Sequence, residues 1–205
     1  MHLHAAFVPP AATRQELADL LARLEPASQP SSAPARGLFR RSTPAPVPQS
    51  GPQLNVARPD SLVLPVTDFG YLASGDARRL VDAVGQVCSA VAMCPSVRVS
   101  GGSALVDPDD RSVWAELDGA DDDLEAMREI ALAVVSGVEP LGYFCDRRQF
   151  KPRLALATIT DATTVEHLED ALAALAAYRS EPWTVDELTI LQRGSGVFRT
   201  VPIGA

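Results

Sequence analysis

A proline-rich stretch between residues 26 and 52 is the feature that most limits how this chain can fold. It contains seven prolines, separated mainly by Ser, Ala and Gln: Pro26, Pro30, Pro34, Pro44, Pro46, Pro48 and Pro52. A segment of this composition cannot bury enough apolar surface to offset its ordering entropy. We therefore predict a flexible or polyproline-like loop over 26–52, inserted in a single domain that covers 1–205. A basic and aromatic island within it, residues 36–41 (RGLFRR), predicts either a solvated loop or a clamp that closes over a cleft or contacts a protein partner.

Apolar periodicity on either side of this loop predicts alternating strands and helices. A strand is predicted over 2–8, followed by a helix whose cap is Thr13 and whose capping-box residue is Glu16. Further strands are predicted at 62–66, 97–106, 112–117 and 154–159, further helices at 76–91, 121–138 and 164–177, and a closing hairpin at 183–191 and 196–201. Strands and helices mixed in this order indicate an α+β fold.

Composition excludes several classes of protein. The net charge of −8 argues against non-specific nucleic-acid binding, which depends on basic contacts to phosphate. No apolar run reaches the ~18 residues of a membrane span, and the first residues lack the features of a signal peptide. Three cysteines without CxxC spacing argue against a disulfide framework or a zinc site. We expect a cytoplasmic protein with no metal and no cofactor, and its single lysine among many Ala and Asp residues suggests a bacterial source.

Three segments carry a family resemblance. Residues 61–70 read SLVLPVTDFG, residues 150–157 read FKPRLALA, and residues 183–191 read WTVDELTIL. In that order they resemble the patterns NLHLTLKFLG, FRPHLTLAR and WTVDEVVLYRS of the 2′,5′ RNA ligase-like (LigT-like) branch of the two-histidine (2H) phosphoesterase superfamily. Residues 3–24, 111–117 and 141–143 also fit segments of the family, so the resemblance extends over nearly the whole chain.

The resemblance implies a fold and a chemistry. The expected fold has two pseudo-symmetric lobes, each an antiparallel sheet with flanking helices, and a ligand cleft between the sheets. Family members open 2′,3′-cyclic phosphates or make and break 2′,5′ linkages. One histidine of each HxT/S motif acts as general acid or base, and the hydroxyl two residues later helps to hold the phosphate.

All four of these motif positions differ in this chain. The histidine positions hold Val63 and Arg153, and the hydroxyl positions hold Pro65 and Ala155. Valine cannot transfer a proton, and arginine stays protonated at any working pH. Each general acid or base typically contributes roughly 10²–10⁴-fold to the rate. We therefore predict no catalytic residues at these positions and no useful turnover.

Arg153 favours ligand binding over catalysis. Its guanidinium presents a planar donor fork that suits phosphate, and Lys151 and Arg148 are close in sequence. We predict that these three residues bind a phosphorylated small molecule or an RNA end. The alternative is that Arg153 pairs with a carboxylate or lies along the surface.

The histidines are the remaining candidates for catalysis. His2 and His4 alternate on the first predicted strand, so they could replace the lost pair, but residues this close to a terminus are more often surface or spacer residues. His167 is predicted to be exposed on the helix that follows the second motif.

Two other features suggest chemistry but have plainer interpretations. Asp107, Asp109 and Asp110 are typical of a turn rather than of a metal site. Cys145 precedes Arg147 and Arg148, which would lower the pKa of its thiol and make it reactive; the alternative is an inert thiol.

Three hypotheses of function follow. The first is a non-catalytic 2H-like protein that binds a nucleotide or RNA end in the cleft between the lobes. The second is a structural or protein-interaction module whose cleft is filled by apolar side chains such as Val63 and Leu64. The third is a residual cyclic phosphodiesterase or 2′,5′ RNA ligase-type enzyme that has recruited His2, His4 or His167.

Overall fold

The computed structural model describes residues 1–25, 52–107 and 110–204. The predicted loop over 26–52 and its basic island lie outside these residues, apart from Pro52. In chain order the elements are β1 (His2–Phe7), α1 (Ala11–Leu24), β2 (Leu54–Val56), β3 (Leu64–Tyr71), α2 (Ser74–Ser89), β4 (Ser96–Val106), β5 (Arg111–Gly119), α3 (Asp121–Val138), β6 (Arg153–Ile159), α4 (Val165–Ala177), β7 (Trp183–Thr184), β8 (Glu187–Gln192) and β9 (Gly196–Pro202).

The strands form two antiparallel sheets. The first sheet has the order β3-β1-β8-β9, and the second sheet has the order β2-β6-β5-β4-β7. Every pairing between named strands is antiparallel. The predicted α+β class with antiparallel sheets and flanking helices is therefore confirmed.

One buried apolar core joins the two sheets. Leu3 and Phe7 of the first sheet belong to the same core as Val113 and Leu154 of the second. On β1, Leu3, Ala5 and Phe7 are buried, whereas His2 and His4 are only half-buried. Because side chains alternate along a strand, burying the apolar set directs both histidines to the opposite face of the first sheet.

The helices flank these sheets in pairs. Helices α1 and α4 pack together, and α4 also packs on β4; helices α2 and α3 pack together, with α2 beside β9. The predicted Thr13 cap is wrong, because α1 begins at Ala11 after Pro10 and Thr13 is buried inside the helix. No helix among the described residues is both long and apolar enough to cross a membrane.

Two predicted strands have different bounds in the structure. The strand predicted over 62–66 begins at Leu64 and continues to Tyr71, after a 3₁₀ turn at Pro59–Ser61. The strand predicted over 183–191 is two strands, since β7 pairs with β4 of the second sheet and β8 pairs with β1 of the first. The chain therefore crosses from one sheet to the other at residues 185–186.

The turn predicted after β4 is supported by hydrogen bonds between its first and last residues, Asp107 and Asp110. Asp107 N–H donates to the carbonyl of Asp110 at 3.0 Å, and Asp110 N–H donates back at 3.2 Å. This reciprocal pair closes the β4–β5 hairpin, as turn chemistry requires. Among the described residues no group of three His, Cys, Asp or Glu side chains is arranged to hold a metal.

Candidate functional site

A cavity of about 420 Å³ lies between the two sheets. We call it the cleft. The first sheet and the turn after β8 supply His4, Pro65, Val66, Thr67, Asp68 and Arg193; the second sheet and the segments next to it supply Asp110, Trp114, Asp146, Arg148, Gln149, Lys151 and Arg153. The cleft is therefore open, and charged groups of both signs line it.

Arg153 begins β6 and lies against Trp114 of β5. Its guanidinium carbon is 4.1 Å from the centroid of the indole ring, a distance typical of cation–π contact. Arg153 Nε and Trp114 Nε1 are buried, and neither has a hydrogen-bond partner among the described residues. No carboxylate in the described part of the chain forms an ion pair with Arg153. The described residues therefore give no support to the alternative in which Arg153 is paired with a carboxylate.

The other two predicted ligand residues also line the cleft. Arg148 Nε donates to Asp146 Oδ2 at 2.8 Å, and this hydrogen bond holds the pKa of Asp146 below its usual value. The Arg148 side chain is 89% exposed, so its charge is partly neutralised at the mouth of the cleft. Lys151 is exposed. Arg153 is thus the cation most deeply placed of the three.

A β-bulge interrupts the segment that resembles the first motif, and β3 begins after Val63. Ala5 pairs with Thr67 but Ala6 pairs with Pro65, so the residue between them on β3, Val66, has no opposite partner. Pro65 lines the cleft, whereas Val63 precedes β3 and is not part of the lining. The assignment of Val63 to the cleft is therefore corrected.

A ligand in the cleft finds no free hydroxyl on Thr67, and Ala155, at the second hydroxyl position of the family, has no hydroxyl at all. Thr67 has a hydroxyl, but it is buried and donates to the Asp146 carbonyl at 2.9 Å. Ala155 is exposed opposite Trp114 and does not line the cleft. A bound phosphate would therefore depend on arginine and lysine donors rather than on these motif positions.

The interpretation of His2 and His4 as surface or spacer residues is wrong. His4 lines the cleft, directly opposite Asp68 in the β1–β3 register. His2 Nε2 donates to both carboxylate oxygens of Asp68, at 2.7 and 3.0 Å, and its ring stacks on Tyr71 with centroids 4.8 Å apart. The strand alternation of the two histidines was the sequence signal for this cluster.

The sequence analysis missed Asp68 and Arg193. Asp68 is 66 residues from His2 in sequence, and its Oδ1 also accepts the Gly70 N–H at 2.7 Å. Arg193 lies in the turn after β8, with a guanidinium nitrogen 4.0 Å from Asp68 Oδ2. Asp68 lies in the segment 61–70 that resembles the first motif, but it is not one of the motif's four catalytic positions. Strand pairing brings it to the histidines.

Burial and attraction to the opposite charge shift the pKa values of His4 and Asp68 in opposite directions. Burial lowers the pKa of His4 and outweighs the attraction of Asp68, while Arg193 and His2 lower it further. Burial alone would raise the pKa of Asp68, but hydrogen bonds from Gly70 and His2 and the histidine charges hold it below its usual range. At neutral pH the cleft therefore presents a neutral imidazole beside an ionised carboxylate.

The predicted exposure of His167 is corrected, whereas the structure favours the plainer interpretation of Cys145 as an inert thiol. His167 is 6% exposed, not on the surface, and its Nε2 lies 3.2 Å from Glu25 Oε1, although the contact lacks hydrogen-bond geometry. It is not part of the cleft lining. Burial, reinforced by Glu139, raises the pKa of the Cys145 thiol against the effect of Arg147. A raised pKa leaves less thiolate, so Cys145 is not activated.

Solved structures with the same architecture include LigT proteins. The chain is similar to TT0787 of Thermus thermophilus, with 16% identity and a TM-score of 0.64 over 100% of this chain and 99% of that chain. It is similar to E. coli LigT complexed with NADP+ (14% identity, TM-score 0.62, 100% and 98% covered) and to E. coli LigT complexed with 3′-AMP (15%, 0.59, 98% and 94%). No protein-family model matches the sequence, and no curated protein matches it significantly. The chain therefore has the fold of the LigT-like 2H phosphoesterases.

Proposed function

We propose that this protein binds a phosphorylated ligand, a nucleotide or an RNA end, in the cleft and does not turn it over by a two-histidine mechanism. The observation that carries the proposal is Arg153, whose guanidinium lies over the Trp114 ring without an ion-pair partner among the described residues. An arginine fixed in this way has little further entropy to lose on binding, and its donor fork matches a phosphate.

The charges around Arg153 support an anionic ligand. Lys151, Arg153 and Arg193 line the cleft, and these three cations outnumber the two remaining carboxylates, Asp68 and Asp110, once Arg148 is set against Asp146. The E. coli LigT structures with a similar fold were solved with 3′-AMP and with phosphate. A ligand of that chemistry is therefore the first class to test on this chain.

The absence of turnover rests on the groups that face each other across the cleft. His4 lies on the first sheet, but the described part of the second sheet contributes Arg153 and Trp114 rather than a second histidine. A general base without an opposed general acid leaves the departing oxygen unprotonated. The filled-cleft alternative is disfavoured, because the cavity is open and Leu64 is buried in the core instead.

A second candidate function is favoured by one observation. His4 has a lowered pKa and lies in the same cavity as Arg153, so it has the properties of a general base beside an anion-binding group. In this alternative the protein slowly hydrolyses 2′,3′-cyclic phosphates with His4 as base. Hydrolysis would then depend on His4 and not on the positions of the family motifs.

The test is calorimetric titration with 3′-AMP, inorganic phosphate and adenosine. We expect the two phosphate compounds to bind and adenosine to bind much more weakly. Arg153→Ala should weaken 3′-AMP binding by about 10–100-fold, since a hydrogen bond to a charged group is worth about 1.5–3 kcal/mol. Arg98→Ala is the control, because Arg98 is exposed outside the cleft and pairs with Asp118. No binding of either phosphate compound would overturn the proposal.

A turnover assay separates the two candidate functions. The wild-type protein is incubated at high concentration with a nucleoside 2′,3′-cyclic phosphate, beside an enzyme that has both histidines. We expect no hydrolysis. Turnover that survives repurification and disappears in His4→Ala would replace the binding proposal with the enzymatic one.

A further inference from the structure

A groove with a volume of about 940 Å³ runs between α2 and α3 and shares no lining residue with the cleft. We call it the helix groove. Along α3 its lining residues recur at helical spacing from Asp122 to Gly137, a length of about 22 Å at ~1.5 Å per residue. The other wall is α2 from Ala83 onwards, continued by the segment 90–93. The groove is therefore long enough for about four turns of a helix laid along it.

The floor of the helix groove is apolar and its side chains are small. Ile130 is 3% exposed, Val87 and Ala126 are half-buried, and Gly137 has no side chain. Met93 lines the same groove and is 68% exposed. Methionine is flexible and polarizable, and it is common at surfaces that bind helices of varied sequence. The groove therefore presents an apolar surface that the described residues leave open to a partner.

The rim of the helix groove is acidic. Asp122, Glu125 and Glu129 line it and are exposed, and no lysine, arginine or histidine in the described part of the chain lines it. Glu125 bonds Arg128 at 2.9 Å, whereas Asp122 and Glu129 form no ion pair with any described residue. An acidic rim around an apolar floor is complementary to a surface that is basic and partly apolar.

The acidic rim distinguishes between the possible occupants of the helix groove. A second copy of the chain, docked through the same face, would oppose carboxylates with carboxylates. An anionic lipid surface and a nucleic acid would be repelled for the same reason. A cationic helix with one apolar face satisfies both the floor and the rim, and a helix laid into an apolar groove is a common mode of peptide recognition.

We propose that the helix groove binds a basic amphipathic helix of another protein. Apolar side chains at helical spacing on the partner cover Ile130 and Val87, and its lysine or arginine side chains pair with Asp122 and Glu129. The helix groove and the cleft have no lining residue in common, so this inference goes beyond the proposed function and does not depend on it.

The probe is a fluorescein-labelled peptide of about 18 residues, made of leucine and lysine with its leucines at helical spacing. Fluorescence anisotropy at physiological ionic strength measures its binding to the full chain. We expect it to bind more tightly than a peptide of the same composition in scrambled order, since only the ordered peptide gathers its leucines on one face of a helix.

Charge reversal at the rim tests the site itself. Glu129→Lys should weaken binding of the ordered peptide about tenfold, because a repulsion replaces an attraction. Glu169→Lys is the matched control, since Glu169 is exposed on α4 outside the helix groove and its reversal changes the net charge by the same amount. Met93→Ser tests the floor, and it should weaken the ordered peptide several-fold while the affinity for 3′-AMP stays unchanged.

Three results would overturn the inference: equal affinity for the ordered and scrambled peptides, an equal loss in Glu129→Lys and Glu169→Lys, or unchanged binding in Met93→Ser. An equal loss in the two reversals would mean that the peptide responds only to net charge. Sedimentation of the protein alone and flotation with phosphatidylserine vesicles test the other occupants. Self-association or vesicle binding that disappears in Met93→Ser would replace the protein partner with a second copy or with a membrane.

Discussion

The guanidinium carbon of Arg153 lies 4.1 Å from the centroid of the Trp114 ring, and the buried side-chain nitrogens, Nε of Arg153 and Nε1 of Trp114, have no hydrogen-bond partner among the described residues. Contact with the ring and burial of Nε restrict the guanidinium before a ligand arrives. Pre-organisation of this kind lowers the entropic cost of binding. Lysine at the same position would keep the charge but lose both the plane and the fork.

Arg153→Lys is therefore expected to weaken 3′-AMP binding by about tenfold, an effect between those of wild type and Arg153→Ala. Calorimetry at constant ionic strength measures the change, with Arg98→Lys as the matched control on the exposed surface of β4. If the lysine variant bound as tightly as the wild type, simple charge attraction would explain the site and the stacked geometry would be irrelevant.

The His4 cluster predicts a pH dependence of binding. Because the pKa of folded His4 lies below the ordinary histidine value of 6.5, it is neutral at pH 7 and gains a proton only under more acidic conditions. A protonated His4 adds a cation to the cleft beside Arg193. We therefore expect anion affinity to rise as the pH falls below 6.5, and His4→Gln to remove that part of the rise.

The same group has the opposite effect on folding stability. In the unfolded chain His4 takes up its proton near pH 6.5, whereas in the folded protein its lowered pKa delays protonation. The unfolded state then binds more protons in this window, so the free energy of unfolding decreases as the pH falls from 6.5 towards the folded pKa.

The binding experiment needs a control for the ligand, because phosphate itself titrates near pH ~6. Each affinity is therefore compared between wild type and His4→Gln at the same pH. Parallel pH profiles of affinity for wild type and His4→Gln would show that protonation of His4 does not cause the rise.

The parts of the fold that sequence analysis predicted well are those with strong local periodicity. The helix predicted over 121–138 has the bounds of α3, and the strand predicted over 97–106 differs from β4 by one residue. Acidic residues at the start of α3 and buried positions at helical spacing carry this information locally. The prediction of Thr13 as the helix cap was wrong because the extended chain ends at Pro9 and Pro10, and α1 begins directly after them.

The site was predictable only where a motif marked it. Arg153 stands in a motif whose neighbours keep their identity, but the first motif was placed by position. Val63 precedes β3 and does not line the cleft, whereas Pro65 does. Asp68 joins His2 only through the β1–β3 register, which no local pattern encodes. For Cys145 the sequence left a reactive thiol beside an inert one, and burial, which affects its pKa more than Arg147 does, favours the inert thiol.

Glu25 predicts a stability effect away from the cleft. Its carboxylate accepts the backbone N–H groups of Gln53 at 3.0 Å and Leu54 at 2.7 Å, which ties the end of α1 to the start of β2. Glu25→Ala leaves two partly buried donors without an acceptor, and we expect it to lower the free energy of unfolding by about 2–4 kcal/mol. Urea denaturation measures this change.

Glu125→Ala is the control for that experiment, because Glu125 is exposed and its pair with Arg128 within α3 contributes little to stability. Binding of 3′-AMP to Glu25→Ala should be unchanged, since Glu25 does not line the cleft. A loss of stability below about 1 kcal/mol would show that water replaces the carboxylate at both N–H groups.

The packing of α2 against α3 gives a last prediction, in which two glycine-to-alanine changes have opposite signs. A Cβ at Gly137 would lie 2.4 Å from Cγ2 of Val87, so an added carbon would require Val87 or the helices to move. A Cβ at Gly85 would meet nothing within 4 Å. Alanine is favoured over glycine in a helix by about 1 kcal/mol, so Gly85→Ala should raise the free energy of unfolding by up to that amount.

Gly137→Ala has the same helical benefit but must displace a valine whose branched side chain is restricted in rotation. Overpacking of this kind costs about 1–3 kcal/mol, so the net effect should be a loss of stability of about 1 kcal/mol. Adding Val87→Ala removes the methyl group that a Cβ would meet. The double variant should therefore be more stable than the sum of the two single changes predicts, as measured in a double-mutant cycle of urea denaturation. Strict additivity would mean that α2 and α3 separate slightly to accept the extra carbon, and that their close approach at Gly137 is not a fixed feature of the fold.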